Sequence, residues 1–181
     1  MDAASARGYL TREIFEVKEP GDEQWKRAYD WMRDRMAEQI ADYNGEYPIW
    51  AWLKRPNMRQ WTWIGTGHSL VVADVPRGRM VLSDYDAWHH PLNGWRLHAT
   101  EASFDKHYHD DETKEDVEQS WMRVLDMADR TDPAERAWLG PTVRPQLCIH
   151  RIYLNEIVRI TPVTGRKRSR WQQLPAVDGA D

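Results

Sequence analysis

Across residues 22–43 the apolar side chains Trp25, Tyr29, Met32, Met36, Ile40 and Tyr43 recur at spacings of three or four. That is the period of a helix with one buried face. Asp22 stands where it can cap this helix, and Gly45 where it can stop it. Upstream, residues 9–17 alternate well enough to predict a first strand, which Pro20-Gly21 breaks. Residues 47–52, YPIWAW, predict a short aromatic strand followed by the basic loop LKRPNMR. Residues 69–75 and 79–83 predict two more strands, with Pro76-Arg77-Gly78 as a turn between them.

The polar stretch 101–113 predicts a solvated loop. Thr113 then starts a second amphipathic helix, with Asp116 placed to reciprocate the cap and Val117, Trp121, Val124, Leu125 and Ala128 as its buried stripe. A shorter helix follows, capped by Asp132, with Pro133 in its first turn and Gly140-Pro141 at its end. Residues 146–153 and 157–163 predict a final strand pair around Leu154-Asn155-Glu156. The layout is α+β, with strands at both ends of the chain. It predicts one globular domain over 9–163, a flexible start over 1–8 and a mobile basic tail over 164–181.

Composition changes this picture in three places. The chain of 181 residues is 41% hydrophobic and 30% charged, which fits a globular fold. A net charge of -4 excludes coating nucleic acid through overall charge, yet the charge is uneven. Residues 54–79 carry five Lys or Arg against one Asp, and residues 101–136 carry twelve acids against five bases. The single Cys148 lies in an apolar run and predicts a buried, inert thiol rather than a disulfide or cysteine–zinc site. No long apolar span and no signal-like start are present, so the expectation is a cytoplasmic protein with no membrane partner. Eleven Trp against two Phe imply a polar-lined core or an aromatic-walled cleft, because each indole N–H wants an acceptor.

The densest candidate chemistry is VLSDYDAWHHPLN, residues 81–93, with two carboxylates and two imidazoles within seven positions. A short helix explains them all: Ser83 as cap, Asp84 and Asp86 in its first turn, His89 and His90 near its end, and Pro91 and Gly94 closing it. The sharper alternative uses the helical spacing of Asp86 with His89 and His90 to hold a metal. The run His107-Tyr108-His109-Asp110-Asp111 offers a second set of metal-ligand types on the predicted loop. Elsewhere, Lys54, Arg55 and Arg59 beside Trp50, Trp52, Trp61 and Trp63 could bind a phosphate and stack a ring. The tail run 166–170, RKRSR, reads as a solvated segment or a nucleic-acid contact.

The blocks YPIWAW, KRPNMR, VLSDYDAWHHPLN and PQLCIHRIYLNEIVRI, in this order, resemble a bacterial family catalogued as a domain of unknown function, number 3841. The resemblance runs from Leu10 to about Val163. It implies that the helix at 84–93 and the loop at 55–59 belong to a shared pattern. The last block is also similar to the C-terminal strand pair of ADP-ribosyltransferases, where a Glu at a strand's start contacts the nicotinamide ribose. Gln146 stands at that position. The resemblance implies a polar or basic partner from the first strand, Arg12 or Thr11, and a Ser from a middle strand, Ser69.

It further implies a split antiparallel β-sheet with helices, ADP-ribosyltransferase-like, that binds NAD and transfers ADP-ribose to a nucleic-acid or protein acceptor. Arg55 or Arg59 would neutralise the pyrophosphate, Trp52 would stack on a ring, Gln146 would orient the ribose and His89 would accept a proton. Ser69 and Asn93 complete the ligand-binding set, and no metal is expected. Gln146 departs from the pattern in chemistry, since an amide brings no negative charge to a developing positive one. Two competitors share the same residues. One is a non-catalytic module for nucleic acid or protein; the other is a metal-dependent hydrolase or nuclease on Asp84, Asp86, His89 and His90.

Overall fold

The computed structural model describes residues 7–12, 16–19, 21–54, 68–107 and 113–163. Its strands are β1 (Tyr9–Thr11), β2 (Ile49–Trp52), β3 (Ser69–Ala73), β4 (Met80–Asp84), β5 (Pro145–Ile149), β6 (Arg151–Tyr153) and β7 (Ile157–Pro162). Its helices are α1 (Asp22–Gln39), α2 (Tyr85–Leu92), α3 (Glu101–His107), α4 (Lys114–Ser120) and α5 (Pro133–Leu139). The arrangement is α+β, as expected, and every sheet in it is antiparallel.

Helix α1 follows its apolar period in the middle and departs from it at both ends. Ala28, Trp31, Met32 and Met36 are buried, while Trp25 is 51% exposed. The cap is Gly21, with φ of 102°, rather than Asp22. The Asp22 carboxylate instead accepts from the backbone N–H groups of Lys18 and Glu19, at 2.8 and 3.0 Å. At the other end Ile40 turns to extended geometry, so the helix stops short of Tyr43. Tyr43 belongs to the following turn, and its hydroxyl donates to the carbonyl of Glu46 at 2.6 Å.

Strand pairing differs most from the sequence expectation. Strands β3 and β4 do not pair with each other, and residues 77–79 form a single 3-10 turn between them. The expected strand over 146–153 breaks at His150 into β5 and β6. Neither half pairs with β7. Strand β5 lies between β2 and β4, β6 pairs with β1, and β7 pairs with β3. Of the strand expected over 9–17, β1 covers Tyr9–Thr11, Arg12 adds one bridge to Tyr47, residues 16 and 17 are not strand, and residues 13–15 lie outside the described residues. Burial explains the choice of partners: Gln146, Leu147, Cys148 and Ile149 are all buried, and a strand covered on both faces belongs in a sheet's interior. Strand β7 exposes Val158 and Ile160 and lies in a two-stranded ribbon.

The three-stranded sheet separates two apolar clusters. Cys148 and Val81, with Trp50, join one that contains Trp31, Met32 and Met36 of α1 and Trp88 of α2. Leu147 and Ile149 join another, with Ile152 and the half-buried Leu10, Ala51, Leu82 and Ile157. Two indole N–H groups in the first cluster find acceptors: Trp121 donates to the Trp95 carbonyl at 2.8 Å and Trp50 to the Tyr29 hydroxyl at 3.1 Å.

The helical half of the chain keeps its caps. Thr113 accepts from the N–H of Asp116 at 3.2 Å, and Asp132 accepts from those of Ala134 and Glu135 at 2.7 and 3.3 Å. Helix α4 tightens into a 3-10 turn at Trp121–Leu125 instead of running on to Ala128. The expected loop at 101–113 contains helix α3. Thr100 accepts from the N–H of Ser103 at 3.1 Å, and Phe104 packs its ring against His98 and Trp138. One apolar anchor and one hydroxyl cap turn an otherwise polar segment into a helix.

Buried ionic groups dominate what can break this fold. Asp84 is 1% exposed and pairs with Arg130, itself 8% exposed. Removing one partner strands the other charge, so Arg130→Met should lower stability by about 3–5 kcal/mol in urea denaturation. Loss of the exposed Asp132 cap in Asp132→Ala should cost only about 1 kcal/mol.

Burial also pushes the imidazoles of His90 and His150 down from their ordinary range. His150 is fully buried, with carboxylate oxygens of Asp42 and Glu46 each 3.6 Å from one ring nitrogen; both raise its affinity for a proton, while Arg151 lowers it. In the folded protein both rings therefore stay neutral at a pH where the unfolded chain has begun to bind protons. Stability should be full above about pH 6.5 and fall as pH drops through the folded-state values. Urea midpoints between pH 5 and 8 check this, and His150→Gln should flatten the slope.

Candidate functional site

The second residue of β5 is Gln146, and its neighbours across the sheet are Trp52 on β2 and Ser83 on β4. Gln146 is 4% exposed, and its amide nitrogen Nε2 is buried without a hydrogen-bond partner. An unmade hydrogen bond of this kind costs about 1–3 kcal/mol. On the strand's period of two, Cys148 lies on the same face. Its Sγ sits 3.6 Å from Ser83 Oγ, and burial pushes the thiol far above its ordinary range, so it is no nucleophile.

Strand β4 runs straight into α2, and the junction builds the outer part of the site. Asp84, not Ser83, is the cap: its Oδ1 accepts from the N–H of Asp86 at 3.1 Å and from that of Arg144 at 3.3 Å. Ser83 remains a buried strand residue, because the strand continues one residue further than its pattern suggests. Tyr85 opens the helix with its ring tilted against Trp52, centroids 4.9 Å apart. The Arg144 guanidinium lies over the other part of this aromatic pair, 4.6 Å from the Tyr85 centroid, and donates to Asp86 Oδ1 at 3.0 Å.

Further along α2, His89 donates from Nδ1 to the Tyr85 carbonyl at 2.9 Å, since a carbonyl can only accept. That leaves Nε2 as the basic nitrogen of an exposed ring. Asn93 ends the helix, its side-chain amide donating to the His89 carbonyl at 2.7 Å. The Asp84 carboxylate is committed to Arg130 and two backbone N–H groups. Among the described residues no three His, Cys, Asp or Glu side chains converge as a metal site would need.

Of the residues named from sequence, the fold brings Gln146 and Trp52 into direct register and places His89 beside Tyr85, next to Trp52. Asn93 shares the helix but holds its end. Arg12 and Ser69 do not join them. Arg12 bridges to Tyr47, before β2 begins and five residues from Trp52, and its guanidinium lies over Tyr29, 4.8 Å from the ring centroid. Ser69 pairs with Pro162 in the β3–β7 ribbon and is exposed. Arg55, Arg59, Trp61 and Trp63 lie outside the described residues, as do residues 108–111 of the His107 run and the basic tail.

Sequence reasoning passed over Tyr85 and Arg144. For Arg144 a signal was present, because it stands two residues before Gln146 and an extended chain repeats its facing every two residues. For Tyr85 there was none, since its pairing with Trp52 depends on β2 and β4 flanking the same strand.

No curated protein and no solved structure matches this chain. The family model described as Domain of unknown function (DUF3841) matches residues 10–139, ending before β5. That span includes Trp52, Tyr85, Asp86 and His89 and leaves out Arg144 and Gln146. With well over half of its length matched, the chain belongs to the DUF3841 family.

Proposed function

We propose that the protein binds a nucleotide, NAD or a close relative, at the Gln146 end of the central sheet. The observation that carries this reading is the buried Gln146 amide, whose Nε2 has no partner beside the Trp52–Tyr85 pair. A polar donor left unmatched next to an aromatic shelf suits a ligand with a flat ring and hydroxyl acceptors. Trp52 and Tyr85 would take the ring, Gln146 would donate to a ribose hydroxyl, and His89 Nε2 would accept a proton from an incoming acceptor group. Bound NAD would supply the glycosidic bond whose cleavage releases nicotinamide. An ADP-ribosyltransferase-like use of that bond, with a protein or nucleic-acid acceptor, is the catalytic form of this proposal.

The placement of Arg12 and Ser69 favours a second form, binding without transfer. The three residues that the transferase resemblance groups together lie apart, and Gln146 brings no charge to stabilise a developing cation. One substitution separates the two forms. In the catalytic form Gln146→Glu should accelerate NAD hydrolysis, because the added charge acts most strongly in the transition state. In the binding form it should leave NAD intact and weaken its hold.

Thermal denaturation tests the reading common to both forms. NAD at about a hundred times its dissociation constant should stabilise the protein by about 2.7 kcal/mol. Gln146→Leu should remove most of that gain. Indifference of the unaltered protein to NAD, ADP-ribose and ADP would dispose of the nucleotide reading.

A further inference from the structure

We propose that Arg144 is the phosphate-binding residue of this site, and that Asp86 holds it in place until a phosphate displaces the carboxylate. The inference rests on the nucleotide reading of the Gln146 end of the sheet and adds to it the group that recognises charge. Three features of Arg144 support it. Its backbone is fixed, because its N–H bonds Asp84 Oδ1 and its carbonyl accepts from the N–H of Tyr85 at 2.9 Å. Its guanidinium lies over the Tyr85 ring, 4.6 Å from the centroid, and donates to Asp86, so the side chain is held in place before any ligand arrives. It is also reachable, with 55% of the side chain exposed, unlike Arg130 behind it.

The local charge balance says what Arg144 can exchange. Asp84 is neutralised by Arg130, so Asp86 is the carboxylate that Arg144 pairs with at the surface. An exposed pair of this kind is weak. A phosphate carries more charge than a carboxylate and accepts several hydrogen bonds from a guanidinium, so it should win the exchange. The ring seated on Trp52 and Tyr85 would then lie beside the anion, and the ribose between them would meet Gln146. This is a nucleoside di- or monophosphate arrangement, with the anion read by a residue close in sequence to Gln146.

Calorimetric titration with ADP, adenosine and pyrophosphate tests this on the full chain and on Arg144→Ala, Arg144→Lys and Asp86→Asn. The expected result is that Arg144→Ala weakens ADP at least tenfold and leaves adenosine unchanged, while Asp86→Asn tightens ADP severalfold. Arg144→Lys should recover part of the loss, which shows that charge rather than packing is at stake. Equal weakening of ADP and adenosine in Arg144→Ala would overturn the assignment, because Arg144 would then act only by supporting Tyr85. Unchanged ADP affinity in that variant would also overturn it, while leaving the nucleotide reading in place. Pyrophosphate bound as tightly as ADP, and lost in Arg144→Ala, would keep Arg144 as the anion contact and remove the nucleotide reading. An unaltered protein that binds none of the three would end both.

Discussion

The ion pair between Asp84 and Arg130 is the constraint on which the rest of the structure depends. Both groups are buried, and neither is left with a single partner. Arg130 also donates to the carbonyls of Leu139, Gly140 and Thr142, at 2.8, 3.1 and 3.2 Å. Asp84 accepts from the N–H groups of Asp86 and Arg144 with its other oxygen. Four segments meet at this pair: the end of β4, the start of α2, the end of α5 and the approach to β5. A buried pair is not worth more than well-packed apolar groups would be. What it does here is specify geometry, because each hydrogen bond admits only one arrangement of the backbones around it.

That geometry carries outward in steps. Fixing Asp84 as the cap of α2 sets where Tyr85 points, and the backbone bond from Tyr85 to Arg144 sets where β5 begins. Tyr85 then meets Trp52, and Arg144 lies over Tyr85. The site thus has a rigid, buried base and a weakly paired surface group above it. Such an arrangement suits recognition, since the base loses little freedom on binding and the surface pair yields at small cost.

The core at and beside this site holds several buried polar groups. Gln146, Ser83, Asp84 and His150 all lie within or beside the three-stranded sheet and are buried. Some are satisfied, as Asp84 is. His150 has no hydrogen-bond partner at either ring nitrogen, and neither has Gln146 at Nε2. Such groups make a core sensitive to pH and to ligands, because a proton or a partner supplied later recovers what folding left unmade.

The residues' own pattern determined the class of fold, the middle of the buried stripe of α1 at Met32 and Met36, and the caps at Thr113 and Asp132. Each of these rests on contacts within a few residues of one another. The inert character of Cys148 was legible too, from its apolar run. The partners of the strands were not, because alternation says which face of a strand is buried and nothing about which strand lies beside it. Residues 146–153 look like one strand until His150 has to enter the space between Asp42 and Glu46. The site follows the same division. Gln146, Trp52 and His89 could be named from sequence, but their gathering depends on β2 and β4 flanking β5. Arg12 and Ser69 could be named equally well and were sent elsewhere by the pairing of β1 with β6 and β3 with β7. Only the tertiary structure decided this, because strand partners are chosen by burial and hydrogen bonding between segments far apart in the chain.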